Sequence, residues 1–519
     1  MAAIVTDQFR ILNATNFVDT ISDSTNSYYV SLSLPNPTNV GFGRTSNWDT
    51  NTPNPVDNVN NINHIGDTTI FGKRVTGVNV RRLIRRVNWT QGTRYEMYRH
   101  DYSVNSPSPV TQSSRLYDSN YYVMNSNFNV YICIDNASSG INTTGNASQD
   151  EPTFTDLEPS KAGESGDGYI WKYLFTVAPS DIIKFDSTDY IAVPNDWATT
   201  TDALIQSVRE NGDSEVNNNQ IKKVYIDQQG AGYAGGLGQE FSILGDGSGG
   251  KVVVDVVSGK ITNAVVSSGG KGYTYGIVDL GSINQNISTP AKLIPIIPPA
   301  KGHGNDLYSE LGTDRVLVYA RFDDSTKDFP IDTKFAQVGV VKNPTKVGTS
   351  VTYTDNTYSS LKAVKFDTVT GVPQVGEEIK QVLTVAPNAG KVSTGFIASY
   401  DSETKVLKYF RDRSLNFNRT TYDHTDYAGI STAGRIYDFE SQVGANNIEG
   451  KSSFFAGAIS RDFSGITTNP TGNKLINLGV NFISGLSNSE INKGSGEIVY
   501  LDNRPLIVRN SRQKEDIKI

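Results

Sequence analysis

Tyr169-Ile170-Trp171-Lys172-Tyr173-Leu174-Phe175-Thr176-Val177 decides the fold class. Its odd positions are Tyr, Trp, Tyr, Phe and Val, one continuous aromatic and apolar face at the two-residue period of a strand. Burying a large side chain of this kind is worth about 1.5–3 kcal/mol. Such a face does not stay in water. Domain core is the first expectation for it, and a subunit interface the second. Downstream, Pro179-Ser180-Asp181 starts a short helical turn, and residues 202–211 carry the clearest helix pattern.

The rest of the chain repeats the theme. It has 519 residues, too many for one ordinary core, so two or more domains are expected. Hydrophobic residues make up 37% and charged residues only 19%, which leaves a surface of uncharged polar groups. The 47 glycines and 20 prolines point to many turns and few long helices, and the 26 tyrosines and 21 phenylalanines favour strands. Aromatics at 10% separate the chain from a disordered one. The expected fold is mainly β: layered β-sandwich domains with a few short helices, multidomain, with inserted small β modules.

Residues 1–22 read as a lead-in strand and short helix, with Thr6 placed to cap a turn bearing Phe9, Leu12 and Phe17. Residues 28–34, 68–71 and 78–89 read as strands, and 35–66 as irregular. Two strands are expected around Val123 and over 130–134. Residues 220–282 contain an internal two-fold repeat. Val224-Tyr225-Ile226 leads to Gly230-Ala231-Gly232-Tyr233, and Ala264-Val265-Val266 leads to Gly270-Lys271-Gly272-Tyr273. Two copies are too few for a solenoid, so this is a small inserted β module. Residues 283–312 read as a connector. Strands are expected again at 315–322, 335–342, 361–366, 392–399, 406–410, 497–501 and 506–508. The domain boundaries that follow are 1–95 with 300–345 and 475–519 as a first β domain built from both chain ends, 96–219 as a second, 220–282 as the repeat-bearing insertion, and 346–474 as a β-rich second insertion.

Several function classes fit poorly. Net charge is −7, against the cationic face that phosphate neutralisation needs, so no nucleic acid is expected as a partner. The local run Arg81, Arg82, Arg85 and Arg86 would split its charges between two strand faces and pair them. The single cysteine, Cys133, lies in an apolar run and reads as a small buried hydrophobe. No secretory signal and no apolar run of spanning length is found, so neither export nor a membrane partner is expected. His64, His100, His303 and His424 have no metal-ligand spacing to one another or to the cysteine. The segment from Gly444 to Ser452 imitates a phosphate loop, but one residue too many separates Gly444 from Gly450. Asp167 and Asp246 sit in glycine-rich turns with too few oxygens for calcium, and read as hairpin ends. No catalytic residue, cofactor or metal is assigned, and the chain is not expected to be an enzyme. Two Arg/Trp pairs, Arg44 with Trp48 and Arg86 with Trp89, are the residue types that anchor interfaces; core filling is the alternative for both tryptophans.

These same residues carry a family resemblance. The blocks are Ile4-Val5-Thr6 with Phe9-Arg10 and Asn16-Phe17; Phe42-Gly43-Arg44 to Trp48; Arg85-Arg86 to Trp89 with Gly92-Thr93-Arg94-Tyr95; Tyr131 to Asp135; and Gly166-Asp167-Gly168-Tyr169 through Phe175, followed by Tyr190 to Pro194. Gln337 to Pro344 and Ser495 to Pro505 follow, the last including Tyr500, Asn503 and Arg504. In that order they resemble the dimeric baseplate wedge subunit of T-even-type contractile-tailed phages. Residues 220–282 and about 345–470 do not match. The resemblance implies a mainly β protein that forms a symmetric homodimer in each wedge. Its implied partners are other wedge proteins: the elongated vertex organiser, the peripheral pin-bearing subunit and the inner ring subunit. Its implied location is the virion tail baseplate, after synthesis and assembly in the host bacterial cytoplasm. The family supplies no catalytic residues. Arg44, Trp48, Arg86, Trp89, Arg94, Asp167, Trp171, Tyr173, Tyr500, Asn503 and Arg504 become the candidate interface or motif residues. A receptor- or carbohydrate-binding tail protein is the alternative reading, since aromatic residues and Asn-rich loops suit sugars. A polysaccharide-cleaving tailspike would need many β-helical coils, which the sequence lacks.

Overall fold

A computed structural model describes residues 5–36, 48–283, 286–323, 334–411, 417–418, 423–425, 431–433, 437–451, 454–472, 474–508 and 513–519. Strand outweighs helix, 40% to 12%, so the fold is mainly β, with several sheets and a β-barrel. The chain forms two compact units, Met1–Val18 with Arg81–Leu317, and Asp19–Val80 with Val318–Ile519.

The first unit is built on the aromatic strand, Tyr169–Thr176. It is an inner strand of a four-stranded sheet, flanked by Asn129–Asn136 and Ser160–Lys161, with Tyr122–Met124 beyond Asn129–Asn136. All pairings are antiparallel. Tyr169, Trp171, Tyr173 and Phe175 are each at most 1% exposed, so the aromatic face is core. Lys172 and Leu174, which point the other way, are buried too. The sheet is therefore covered on both sides, and the helix Ala203–Gly212 packs on this strand. Asp202 caps that helix, its Oδ1 accepting from the amides of Leu204 and Ile205 at 3.0 Å. Register shifts near Val130 and Ile134 leave Tyr131 opposite Tyr173 and Cys133 opposite Trp171. Trp171 stacks on Tyr169 with ring centroids 5.3 Å apart and meets Tyr95 edge-on at 5.9 Å. Contacts of this geometry add about 0.5–1.5 kcal/mol each beyond area burial.

The arginine strand, Val80–Arg85, pairs with Tyr190–Val193. Arg82, on the face opposite Arg81 and Arg85, is buried and donates from Nη1 to the Asn195 carbonyl at 3.3 Å. Arg81 bonds Asp181 at 2.8 Å, Arg85 donates to the Ser119 carbonyl at 2.9 Å, and Arg86 bonds both oxygens of Asp186 at 2.8 Å.

The glycine repeat forms a small sheet in the order Lys260–Lys271, Ser248–Val257, Gln239–Gly245, Gly276–Val278, beside the pair Val224–Gln228 and Lys292–Pro295. Both copies of the motif have the same local geometry. Gly230 and Gly270 have φ of +65° and +62°, and a Cβ on either would fall within 2.7 Å of the ring of Tyr233 or Tyr273 in its own motif. The tyrosine ring thus approaches its own glycine closely, and its hydroxyl hydrogen-bonds elsewhere. Tyr273 Oη accepts from the Gly250 amide at 3.0 Å and donates to the Ile243 carbonyl at 2.9 Å; Tyr233 Oη accepts from the Ala291 amide at 2.7 Å. The module is fastened to the aromatic-strand sheet. Lys223 Nζ bonds both oxygens of Asp135 at 2.7 and 2.8 Å, and the Arg99 guanidinium lies 3.8 Å over the Tyr225 ring.

The second unit contains a five-stranded antiparallel sheet in the order Thr357–Ser359, Thr69–Val75, Tyr28–Ser33, Lys334–Lys342, Glu497–Val508. Strands from near both chain ends are hydrogen-bonded to the same neighbour. Its other large sheet runs Val406–Phe410, Val392–Asp401, Glu378–Val382, Ile448–Gly450, Ala456–Ile459, Lys362–Thr370, Leu486–Ser487. Val406–Phe410 also pairs with Lys362–Thr370, which closes the ring into a barrel around Phe366, Ile379, Ile397, Leu407 and Ile448.

Some local expectations change. Residues 1–22 do not hold a strand among the described residues; Asp7–Ser22 is one helix, with the Phe9 amide donating to Thr6 Oγ1 at 3.3 Å. Residues 35–66 are not wholly irregular: Val59–Thr68 is helical, capped by Asn58, whose side chain accepts from the Asn61 amide at 2.9 Å. The 283–312 connector contains Lys292–Pro295 and the helix Leu307–Leu311. The two terminal strands are one, Glu497–Val508; it lies at the sheet edge, where Pro505 costs no ladder bond to a further strand.

Replacing Gly270 by Ala is expected to lower the unfolding free energy by at least about 1–3 kcal/mol, from strain at positive φ plus the clash with the ring. Gly236→Ala, in the same module, where a Cβ meets nothing within 4 Å, should be near neutral. Denaturant melts of the two variants check this, and equal stabilities would contradict it.

Candidate functional site

The motif residues collect at two places, one in each unit. In the second unit, Trp48 is fully buried and its Nε1 donates to the Arg504 carbonyl. Gln337 Nε2 donates to Asn503 Oδ1 at 3.0 Å and to Asn36 Oδ1 at 2.9 Å, and Asn503 Nδ2 donates to the Pro53 carbonyl at 2.9 Å. The Arg504 guanidinium bonds Asp502 Oδ2 and the Lys518 carbonyl, each at 2.7 Å. Tyr500 lies on the edge strand Glu497–Val508 and is 47% exposed. Arg44 is outside the described residues.

In the first unit, Trp171 and Tyr173 are core, and Tyr173 Oη shares a hydrogen bond of 2.8 Å with Thr176 Oγ1. Trp89 is half-buried, and its Nε1 donates to Ser148 Oγ at 3.0 Å. Asp167 organises its turn: Oδ1 accepts from the Tyr169 amide at 2.9 Å and Oδ2 from the Gln149 amide at 2.8 Å. Arg94 is exposed. Trp48, Trp171 and Tyr173 are therefore interior, while Arg94 and Tyr500 are exposed.

No group of three or more His, Cys, Asp or Glu side chains suited to a metal ion occurs among the described residues. Cys133 is fully buried, and burial pushes its thiol far from ionisation at neutral pH. His303 Nδ1 meets Glu310 Oε1 at 2.6 Å in the interior, and His100 Nδ1 accepts from the Ile297 amide at 3.1 Å. The His424 side chain is outside the described residues. Asp246 accepts from the Thr274 hydroxyl and amide and the Tyr275 amide, which hold its carboxyl down to about 2; it pins a hairpin end. Lys451, at the end of the segment that imitates a phosphate loop, bonds Glu378 at 2.7 Å.

A cleft of about 650 Å³ opens in the second unit, lined by Tyr353, Lys362, Tyr409, Asp438, Phe439 and Glu490 among others. Lys362 and Arg411 converge on Asp438. Tyr353, Tyr409 and Phe439 are at most 5% exposed, so their ring faces are closed to a stacking sugar. Among the described residues no helix is long and apolar enough to cross a membrane.

No family model matches the chain, and no curated protein matches it.

The interior holds many tyrosines whose hydroxyls are kept protonated by burial. Tyr98, Tyr121, Tyr122 and Tyr358 are all pushed above the ordinary value of 10.0, and Tyr409 to about 12. Above pH 10 the unfolded chain loses these protons while the folded chain keeps them. The folded state then binds more protons, so stability falls as pH rises, by up to about 1.4 kcal/mol per pH unit for each such group. Phenolate absorbance and circular dichroism are expected to change together in one steep step above pH 10. Gradual tyrosine ionisation with the fold intact would contradict the buried network.

Proposed function

We propose that this chain is a structural subunit of a contractile phage tail, a baseplate wedge component that acts as a homodimer and bridges neighbouring wedge proteins. The observation that carries the reading is how the resemblance-bearing blocks meet. They are scattered through the sequence, yet they pack on one another. Trp48 meets Arg504, and Gln337 meets Asn503. Tyr95 meets Trp171 and Tyr169, and Tyr131 meets Tyr173. Residues that form one another's surroundings are those a shared core retains when the surface has changed, which is why separated blocks can persist in order.

The side-chain chemistry favours a scaffold as well. Asp135, Asp167, Asp246, Glu310, His100, His303 and Cys133 are engaged in turns, ion pairs and core, and Trp48, Trp171 and Tyr173 serve packing. A two-fold dimer uses one self-complementary patch on each copy. Arg94 and Tyr500 are exposed candidate residues among those described, available to partners. Light scattering on the purified full chain at micromolar concentration is expected to give a dimer, and the dimer should be retained by co-expressed wedge neighbours. A strict monomer, a trimer, or turnover of a host polysaccharide would overturn the reading.

A further inference from the structure

Lys172 is the anomaly of the aromatic strand. It is 2% exposed, in a strand otherwise built of aromatic and aliphatic residues and one threonine. The two acceptors at its Nζ are both neutral: the Leu157 carbonyl and Asn211 Oδ1, each at 2.7 Å. Asn211 belongs to the last turn of the helix that covers the strand. Its Nδ2 donates to Glu158 Oε1 at 2.7 Å, an oxygen that also accepts from Asn217 Nδ2 at 2.9 Å. An amine, a primary amide and a carboxylate are thus in direct hydrogen-bond succession.

We propose that Lys172 and Asn211 form an intramolecular isopeptide bond, with Glu158 as the proton-transferring group. Nothing assigned to the chain so far uses these three residues. Neutral Nζ attacks Asn211 Cγ, the atom bonded to the oxygen it already contacts, and the carbonyl π pair moves onto Oδ1. Collapse of the tetrahedral centre restores the carbonyl and breaks the Cγ–Nδ2 bond. Nζ gives up one proton and Nδ2 gains one, so ammonia leaves. Glu158, an ionised carboxylate in contact with Nδ2, takes the proton from Nζ in the tetrahedral state, where both nitrogens are bonded to Cγ, and delivers it to Nδ2. The balance is amine plus primary amide to secondary amide plus ammonia, with no oxidant, reductant or cofactor.

Two physical conditions favour the step. Burial lowers the Lys172 ammonium to about 8, so that roughly a tenth is free amine at pH 7. Fixed positioning of the two groups replaces a bimolecular encounter with an intramolecular one. The bond would tie the aromatic strand covalently to its covering helix, a brace for a part that must bear load.

Mass spectrometry of the denatured full-length chain tests this. The expected mass is lower than that of the sequence by one ammonia, and a protease digest should contain a branched peptide joining the segments around Lys172 and Asn211. Lys172→Arg should restore the full mass and abolish the branched peptide, and Glu158→Gln should slow its appearance after refolding. Cyclisation of Asn211 onto Gly212 also loses ammonia, but it survives in Lys172→Arg and gives no branch. A wild-type chain of full mass after incubation at mildly alkaline pH, or ammonia loss that persists in Lys172→Arg, would overturn the proposal.

Discussion

An aromatic strand has to be covered on both faces, and the first unit is arranged around that requirement. One face of Tyr169–Thr176 carries Trp171 between Tyr169 and Tyr95; the other is closed by the helix Ala203–Gly212. A polar group buried there without a hydrogen bond costs free energy; the indole N–H of Trp171 is such a group, without a partner. Lys172 finds its acceptors in Leu157 and Asn211. The glycine module is held to the same sheet by Lys223 on Asp135 and Arg99 on Tyr225, so an apparent insertion is part of one compact body.

The second unit solves a different problem, the two edges of an open sheet. One of its sheets avoids edges by closing, with Val406–Phe410 hydrogen-bonded to strands on both sides. The other stays open and ends in Glu497–Val508, none of whose residues is buried, although Ile498, Val499, Tyr500 and Leu501 are apolar or aromatic. Edges of this kind are where chains meet other chains. A protein whose interior is aromatic and whose outside is polar, with little net charge, is suited to being held among neighbours.

Much of this architecture was legible in the sequence where the physics is local. The period-two face of residues 169–177 announced a strand. Residues 202–211 announced a helix by their pattern, Val406–Phe410 was readable to the residue, and Cys133 was placed in the core by its apolar neighbours. What was not legible depends on partners distant in sequence. Val59–Thr68 lies in an Asn-rich run whose composition reads as loop, and only the cap at Asn58 distinguishes it. Barrel closure follows from pairing between Lys362–Thr370 and Val406–Phe410, and no single strand encodes it. Trp48 and Trp89 were balanced between interface and core; burial decides for Trp48, while Trp89 is half-buried. The Lys172–Asn211–Glu158 succession had one sequence signal, a lysine among aromatics; its partners are adjacent only in space.

The central claim is that the packed blocks mark a tail-building part whose work is to hold neighbours in place. A density map of an intact contractile tail that carries this chain is the direct measurement. Paired copies related by a two-fold axis, seated in the baseplate wedge against other wedge proteins, are the expected result. Baseplates complete without the chain, or its presence only as a separate receptor-binding tip, would contradict the claim.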